Sequence, residues 1–326
     1  MVPLIYHPKY NITAFGLERL HPFDSIKYGR VHAWLIRQGL RKPSDFSAPR
    51  ECAQTDLLRV HSADYLTRLT SSTELARILE VRIARYLPSR FIDWRVLAPM
   101  RLATGGTVLA CQLAREQGLA INLGGGYHHA SRDHTHGFCV YADTPLALKT
   151  MHDESPFRSV LIVDTDAHQG DGTADIIRAW PWAHTVDFFE DALFPWPKSK
   201  EEFPVPLRSQ LSGAEYLDIL RDNVAVALDR FQPEFVVYNA GSDVLASDPL
   251  TSLMLSPEEM TERDLHVVST VRARGIPLAM VLSGGYGPES WQSHARSIEA
   301  IVTRFDRLHH TATPQSANAD HFVFAK

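Results

Sequence analysis

The sequence is poor in cysteine, and the few cysteines it has are scattered. Three occur among 326 residues, Cys52, Cys111 and Cys139, and no two of them form a CxxC pair. This spacing argues against a disulfide framework and against a zinc site built from thiolates. It is typical of a protein from a reducing compartment, and we therefore expect a cytoplasmic location.

Three other features are missing from the sequence. No apolar run approaches the length of a transmembrane helix, and the N-terminus lacks the charged and then apolar layout of a signal peptide. The net charge is -5, so there is no general excess of basic residues to attract nucleic acid. No internal repeat or low-complexity tract is present. We therefore expect a soluble enzyme without a membrane span and without direct nucleic-acid binding.

Hydrophobic residues make up 44% of the chain, which is enough for one large core. The motif His21-Pro22-Phe23-Asp24 introduces an amphipathic helix, and residues 87–98 are predicted to be a connection. From Leu119 onward, strand and helix patterns alternate regularly. This alternation predicts an α/β fold in which a mostly parallel sheet is covered by helices on both faces. We expect one domain, residues 1–310, and a C-terminal tail, residues 311–326.

Four of the predicted strands each run into a polar or glycine-rich segment. In single-letter code these segments are GGGYHHA, DTDAHQGDG, NAGSD and SGGY, beginning near residues 124, 164, 239 and 283. Ligands of open parallel sheets bind outside the carboxyl ends of the strands. One such segment is weak evidence, but four of them predict a functional site at this edge of the sheet.

The second segment follows an apolar run, Val160 to Val163, and contains Asp164, Asp166 and His168. Alternate residues of an extended chain point to one side, so these side chains converge just past the strand. Burial of such groups is very costly unless a cation neutralises them, although a solvated loop with the same pattern is the alternative. We predict a metal site made of Asp166, His168 and Asp243, with a vacant position for water. Zinc, iron and manganese all suit this ligand set.

Two adjacent histidines, His128 and His129, follow three glycines at the end of another predicted strand. Each histidine needs a carboxylate to set its tautomer and basicity. Asp164 and Asp171 are the two aspartates of the neighbouring segment that are not predicted to bind the metal. Tyr286 follows Gly284 and Gly285 and would place a phenol near the metal, where it could donate to a developing oxyanion.

These motifs, together with Gly137-Phe138-Cys139, resemble the successive motifs of zinc-dependent histone deacetylases, in the same order and at similar spacing. The resemblance runs from about Leu4 to Ile301 and extends to the fold, which would be arginase/deacetylase-like. It is closest to the class IV branch, because of Tyr10-Asn11-Ile12-Thr13, the motif beginning at His21, and Gln169 where class I enzymes have a second histidine.

The resemblance implies a role for each matching residue. Asp166, His168 and Asp243 would bind Zn²⁺ (with Fe²⁺ as the alternative ion), and His129, paired with Asp171, would be the general base and then the acid. His128, paired with Asp164, would give electrostatic support, and Tyr286 would polarise the scissile carbonyl. The residues expected to contact the acyl-lysine substrate are Gly137, Phe138, Phe194 and Gly285. A structural K⁺ would lie near Asp164, Asp166, His168 and Asp187.

The implied reaction is hydrolysis of an Nε-acyl-lysine amide in a peptide or protein by metal-activated water, with acetyl and long-chain acyl groups both open. The sequence departs from class I enzymes in a shorter Asp187 to Pro195 stretch and in lacking a clear rim aspartate, for which Asp93 is the nearest match.

One alternative function is that of an acetylpolyamine or other small-amide hydrolase of the same superfamily. An arginase-like binuclear manganese site is disfavoured, because Val244 and Leu245 follow Asp243 where a second carboxylate is needed. A non-catalytic binding protein is also disfavoured, because His129 and Tyr286 are both retained.

Overall fold

The computed structural model describes residues 1–13, 16 and 23–311, with side chains through residue 307. His21 and Pro22 of the predicted helix-opening motif lie outside the described residues, as does the C-terminal tail from residue 312.

Among the described residues, eight strands form one sheet in which every pairing is parallel. Their order across the sheet is β2-β1-β3-β8-β7-β4-β5-β6. The strands are β1 (Leu4–Ile5), β2 (Phe46–Ser47), β3 (Leu119–Asn122), β4 (Val160–Asp164), β5 (Ala183–Glu190), β6 (Phe203–Leu207), β7 (Phe235–Asn239) and β8 (Leu278–Val281).

Eleven α-helices accompany these strands in the described part of the chain. They are α1 (Lys27–Arg37), α2 (Gln54–Leu57), α3 (Ala63–Arg68), α4 (Ser72–Ile78), α5 (Ser89–Ile92), α6 (Ala98–Gln117), α7 (Asp143–Glu154), α8 (Asp171–Ile177), α9 (Gly213–Phe231), α10 (Pro257–Ala273) and α11 (Ser290–Thr311).

The central strands are buried on both faces, which explains their continuous apolar sequences. Alternate residues of β4 enter two separate hydrophobic clusters, with Leu161 and Val163 in one and Val160 and Ile162 in the other. Helices α9, α10 and α11 contribute to the first cluster, and α7 contributes mainly to the second. The predicted α/β architecture, a parallel sheet between two helical layers, is therefore confirmed.

The predictions for the N-terminal third were less accurate. Residues 89–98 are helical rather than a connection, because α5 continues through a π-helical turn, Asp93–Leu97, into α6. Pro99, which has no backbone N–H to donate, lies at the start of α6 directly after the π-helical turn. Helix α4 ends at Ile78, and Glu80 follows with a φ of 57°. Strands β2 and β6 were not predicted.

One helical stretch, Ser89–Gln117, is long and apolar enough to cross a membrane by length and composition. Within the protein, 61% of its most apolar window is buried, as in the core helix of a soluble fold. Its glycine pair, Gly105 and Gly106, serves close packing. A Cβ at Gly105 would lie 1.9 Å from the carbonyl oxygen of Arg50, and one at Gly106 would lie 1.9 Å from the Tyr10 hydroxyl.

Candidate active site

The four motif-bearing strands, β3, β8, β7 and β4, are consecutive at the centre of the sheet. Because all strands run parallel, their carboxyl ends lie along one edge. Residues paired at this edge include Asn122 with Val281, and Asn239 with Asp164. The four segments therefore meet at one place, as the sequence predicted.

The predicted metal ligands form a compact buried cluster. Donor atoms of Asp166, His168 and Asp243 all lie within 4.8 Å of one another. Nδ1 of His168 lies 3.0 Å from Oδ2 of Asp243 and 3.3 Å from Oδ1 of Asp166. The other oxygen of each carboxylate is held by the protein: Ala167 N–H donates to Asp243, while Ser283 and Gly284 donate to Asp166. These hydrogen bonds fix the orientation of both carboxylates and leave the other oxygen of each to face His168, where a cation could bind.

Electrostatics explain why this cluster suits a cation. Burial and the nearby Asp166 raise the pKa of Asp243 to about 7. Burial lowers the pKa of His168, but hydrogen bonds to Asp166 and Asp243 outweigh it and raise that pKa to about 10. Without a metal, a proton on His168 therefore neutralises part of the carboxylate charge. A divalent cation would replace this proton, and two carboxylates with one imidazole are a suitable donor set.

Each of the tandem histidines is hydrogen-bonded to a different aspartate. Nδ1 of His128 lies 3.0 Å from Oδ2 of Asp164, and Nδ1 of His129 lies 2.7 Å from Oδ1 of Asp171. Asn239 donates to the second oxygen of Asp164 at 2.8 Å. Both imidazoles thus keep Nε2 for other partners, which is the tautomer that a general base at this position requires.

The environments of the two imidazoles push their pKa values apart. Burial and the neighbouring His128 lower the pKa of His129 to about 3, although Asp171 opposes this. For His128, burial is outweighed by Asp166 and Asp164, and the pKa rises to about 9. In the metal-free protein at neutral pH, His129 is therefore an unprotonated base beside a cationic His128. Divergent pKa values in adjacent titratable groups are a hallmark of acid–base sites.

Tyr286 enters the site on the loop after β8. Its backbone N–H donates to Asp248 at 2.7 Å, and its ring centroid lies 6.4 Å from that of His168. Burial raises the pKa of the Tyr286 phenol well above 10, so it remains a hydrogen-bond donor. Gly285 has a φ of 122°, and a Cβ there would lie 1.9 Å from Oγ of Ser242. This turn therefore requires glycine.

A narrow cavity of about 30 Å³ connects these groups. The described residues that line it include His128, His129, Asp166, Tyr286, Gly137, Phe138, Phe23 and Tyr28. Gly137 has a φ of 58°, and a Cβ there would lie 2.6 Å from Cδ2 of His129. A side chain at this position would thus press on the ring of the base.

The two predicted tunnel phenylalanines occupy different positions. Phe138 lines the cavity and packs against Phe23, with ring centroids 5.3 Å apart. Phe194 is 43% exposed, lies 5.5 Å from the ring of His129, and is not among the residues that line the cavity. The weak rim match, Asp93, is ion-paired with Arg101 at 2.7 Å and lines a different surface cleft.

Asp187, the remaining predicted ion ligand, is paired with Asp164 across β5 and β4. Its Oδ2 accepts from Gly170 N–H at 2.8 Å. Burial and the nearby Glu201 raise the pKa of Asp187 well above its usual range. Glu201 in turn accepts from Gln169 at 2.8 Å.

Sequence reasoning missed several residues that shape the site. His136 shares Asp171 with His129, since its Nε2 lies 2.8 Å from Oδ2 of that aspartate. Lys27 is fully buried on α1 and donates to the carbonyl oxygens of Ser283 and Gly284 at 2.5 and 2.9 Å. His136 directly precedes Gly137-Phe138-Cys139, which was the available signal. No such sequence signal marked Lys27, because a lysine at the start of a helix usually faces solvent.

A second missed group lies beneath the metal cluster. Arg263 on α10 is fully buried and donates to the carbonyl oxygens of Gly241 at 2.7 Å and Thr165 at 3.2 Å. It is ion-paired with Asp264 at 2.8 Å, and Asp264 also accepts from the Tyr238 hydroxyl. One guanidinium thus joins the loops after β4 and β7, which carry the metal ligands.

Comparison with known proteins places this arrangement in a family. Residues 21–302 match the family model of the histone deacetylase domain. "Histone deacetylase 2" of Arabidopsis thaliana is 40% identical over 303 residues, which cover 92% of this chain and 78% of that protein.

Two solved structures share the fold. The HDA15 HD domain aligns with a TM-score of 0.73 at 18% identity, covering 93% of this chain and 91% of the other. Acetylpolyamine aminohydrolase from Burkholderia pseudomallei aligns with a TM-score of 0.72 at 20% identity, covering 92% and 98%. These likenesses confirm the arginase/deacetylase-like fold, and the family model and the Arabidopsis relative go further. The chain belongs to the histone deacetylase family.

Proposed function

We propose that this protein is a zinc-dependent hydrolase of Nε-acyl-lysine amides. The observation that carries the proposal is the convergence on one narrow cavity of three groups: the Asp166–His168–Asp243 cluster, the His129–Asp171 pair and Tyr286. Family membership supports a deacetylase reaction. The choice of zinc rests on the donor set, which Fe²⁺ would also fit.

Asp166, His168 and Asp243 would hold the ion. A divalent cation bound there lowers the pKa of water and polarises a carbonyl group. The protein's own contribution is to fix the carboxylates through the backbone N–H groups of Ala167 and Gly284. The carboxylates of Asp166 and Asp243 are therefore already oriented for binding in the metal-free protein.

The His129–Asp171 pair would move the proton. Nε2 of His129 accepts a proton from the water whose oxygen adds to the amide carbon, while Asp171 holds the Nδ1 proton in place. The resulting imidazolium gives its Nε2 proton to the leaving nitrogen as the C–N bond breaks, which yields a carboxylic acid and an amine; transfer of the acid's proton to the amine gives the carboxylate and the ammonium ion. Tyr286 donates to the oxyanion that develops between these two transfers. His128, hydrogen-bonded to Asp164, would give electrostatic support to the negative charge that develops nearby.

Turnover by the zinc-loaded protein tests the proposal. Matched peptides carrying Nε-acetyl-lysine and Nε-myristoyl-lysine are the substrates, and Asp166→Ala is the blank. We expect hydrolysis that the blank lacks, with the acetyl peptide faster because the cavity is narrow. Equal rates with Asp166→Ala would contradict the proposal.

A small acylated amine is the second candidate substrate. It is favoured by one observation: Asp93, the nearest match to a peptide-holding rim aspartate, is engaged by Arg101 and lines another cleft. Acetylputrescine and acetylspermidine therefore belong in the same assay. Turnover of these amines with no turnover of either peptide would replace the lysine substrate with a polyamine.

We further propose that K⁺ binds beside the metal cluster, near Asp164, Asp166, His168 and Asp187. Oδ1 of Asp187 and Oε1 of Glu201 are buried without a hydrogen-bond donor among the described residues. A cation would satisfy both oxygens. Exchange of potassium for tetramethylammonium is expected to lower the melting temperature of the wild type but not that of Asp187→Asn. An equal effect on both proteins would contradict the site.

A further inference from the structure

The carboxylate of Asp171 is shared by two imidazoles. Its Oδ1 lies 2.7 Å from Nδ1 of His129, and its Oδ2 lies 2.8 Å from Nε2 of His136. The ring centroids of His129 and His136 are 4.8 Å apart. All three side chains are largely enclosed, with 5%, 11% and 23% exposure for His129, Asp171 and His136. The proposed base therefore belongs to a triad and not to a pair.

The second imidazole restricts the carboxylate. An aspartate with one hydrogen-bond partner can rotate about its terminal torsion, since that torsion has a broad energy profile. A donor on each oxygen fixes the plane of Asp171, and hence the direction from which Oδ1 meets His129. The two imidazoles also outweigh the effect of burial and lower the pKa of Asp171 below its usual range. The carboxylate thus stays ionised and in place.

His136 is itself held in position. Its ring packs edge-to-face on Phe194, with centroids 4.5 Å apart. Phe194 also contacts the ring of His129 at 5.5 Å. The aromatic contact and the carboxylate therefore constrain His136 from two sides, which a surface histidine would not require.

We propose that His136 is a positioning residue for the His129–Asp171 pair. It holds Oδ2 of Asp171 so that Oδ1 stays on Nδ1 of His129 during both proton transfers, which keeps Nε2 of His129 directed at the reacting atoms. The inference rests on the proposed hydrolysis and adds to it a residue that the motif comparison did not assign.

Two substitutions separate this role from simple packing. Gln places its amide N–H close to where Nε2 of histidine lies, whereas Leu fills space without a donor. We expect His136→Leu to lower kcat on the order of tenfold with KM unchanged, as for loss of a partner that orients a reacting group. His136→Gln is expected to retain most of the activity.

His134 provides a matched control on the same loop. It is exposed and bonded to the Ser131 hydroxyl, away from Asp171. His134→Leu should therefore leave kcat and KM unchanged. A wild-type kcat for His136→Leu would overturn the inference, as would equal losses for His136→Leu and His136→Gln, or a loss confined to KM.

A measurement without turnover keeps the two proposals distinct. The Nδ1 proton of His129, hydrogen-bonded to Asp171, is followed by ¹⁵N-edited NMR of the zinc-loaded protein. We expect its exchange with water to be faster in His136→Leu and unchanged in His136→Gln. An unaltered exchange rate in His136→Leu would refute the positioning role. Absence of turnover with every acyl amide would instead refute the hydrolase while this NMR result still stood.

Discussion

At the scale of single residues, the metal cluster carries a proton that a cation must displace. Hydrogen bonds to Asp166 and Asp243 raise the pKa of His168 to about 10, so His168 is protonated at neutral pH in the metal-free protein. Ligation requires a neutral imidazole. Metal affinity should therefore fall as the pH falls.

We accordingly expect zinc binding near neutral pH to release about one proton or more per ion. Calorimetric titrations in buffers of different ionisation enthalpy measure this number. Asp243, whose pKa is about 7, should release a further fraction of a proton per zinc ion, and this fraction should fall to zero as the pH rises above 7. Binding without proton release would show that His168 is neutral before the metal arrives.

The buried Lys27 predicts a pH dependence of stability. Burial lowers its pKa from 10.5 to about 8, despite attraction from Asp166 and Asp243. Between these two pH values the unfolded chain binds a proton that the folded chain does not. The contribution of Lys27 to the free energy of unfolding of the metal-free protein should therefore rise with pH across this window, by roughly 3 kcal/mol for the full shift.

Lys27→Met removes the titrating group, and the difference between wild type and variant isolates its contribution. Denaturant unfolding from about pH 7 to about pH 11 measures it. The free energy of unfolding of the wild type should increase relative to that of the variant as the pH rises from about 8 to about 10.5. Parallel curves for the two proteins would mean that Lys27 titrates alike when folded and unfolded.

Residues that lie in a local pattern could be predicted from the sequence, and residues that act across the fold could not. Asp166 and His168 stand in a D-x-D-x-H pattern at a strand end, and the structure brings them to Asp243. His136, Lys27 and Arg263 acquire their partners from distant segments, as in the contact of Lys27 with Ser283, 256 positions away. No spacing rule encodes such a contact.

At the scale of elements, α10 both closes the fold and supports the site. Its start was predictable: Ser256 and Glu259 form a capping box, with Pro257 in the first turn. The buried face of α10 could not be predicted, because Arg263 and Asp264 are adjacent charged residues, and a periodic pattern places such residues in solvent. Both are fully buried as an ion pair.

Arg263→Met should therefore be strongly destabilising. It leaves Asp264 buried without its cation, which costs about 3–5 kcal/mol in free energy of unfolding. The double variant Arg263→Met/Asp264→Leu removes both charges and should be more stable than the single variant. Melting temperatures measured side by side test this order. A double variant no more stable than the single one would place the cost in the lost carbonyl contacts to Thr165 and Gly241.

Secondary structure was predicted well where the strand–helix alternation is regular and poorly before it. Helix α9, Gly213–Phe231, lies in this regular part of the chain. In the N-terminal third, short helices are set by tertiary contacts, and propensity cannot locate their ends. Strand β6 was missed because prolines alternate along it, which is a pattern that disfavours a strand.

At the scale of the whole molecule, the metal site joins loops from separate parts of the chain. Asp166 and His168 follow β4, and Asp243 follows β7. The unfolded chain cannot assemble this cluster, so an ion stabilises the folded state by about 2.7 kcal/mol when its free concentration is 100 times Kd. Thermal unfolding with zinc and then with chelator should show this gain for wild type and lose it for Asp243→Asn. An equal chelator effect on Asp243→Asn would indicate that the stabilising ion binds elsewhere.

The two ends of the sheet have a consequence for self-association. An edge strand with free N–H groups can template another chain. Here β2 is only two residues long, and β6 carries Pro204 and Pro206, which have no N–H to offer. Both edges are therefore poorly suited to extend the sheet into a neighbouring molecule. We expect contacts between copies of this protein to form through helices and loops, with the sheet itself protected against fibre-like stacking.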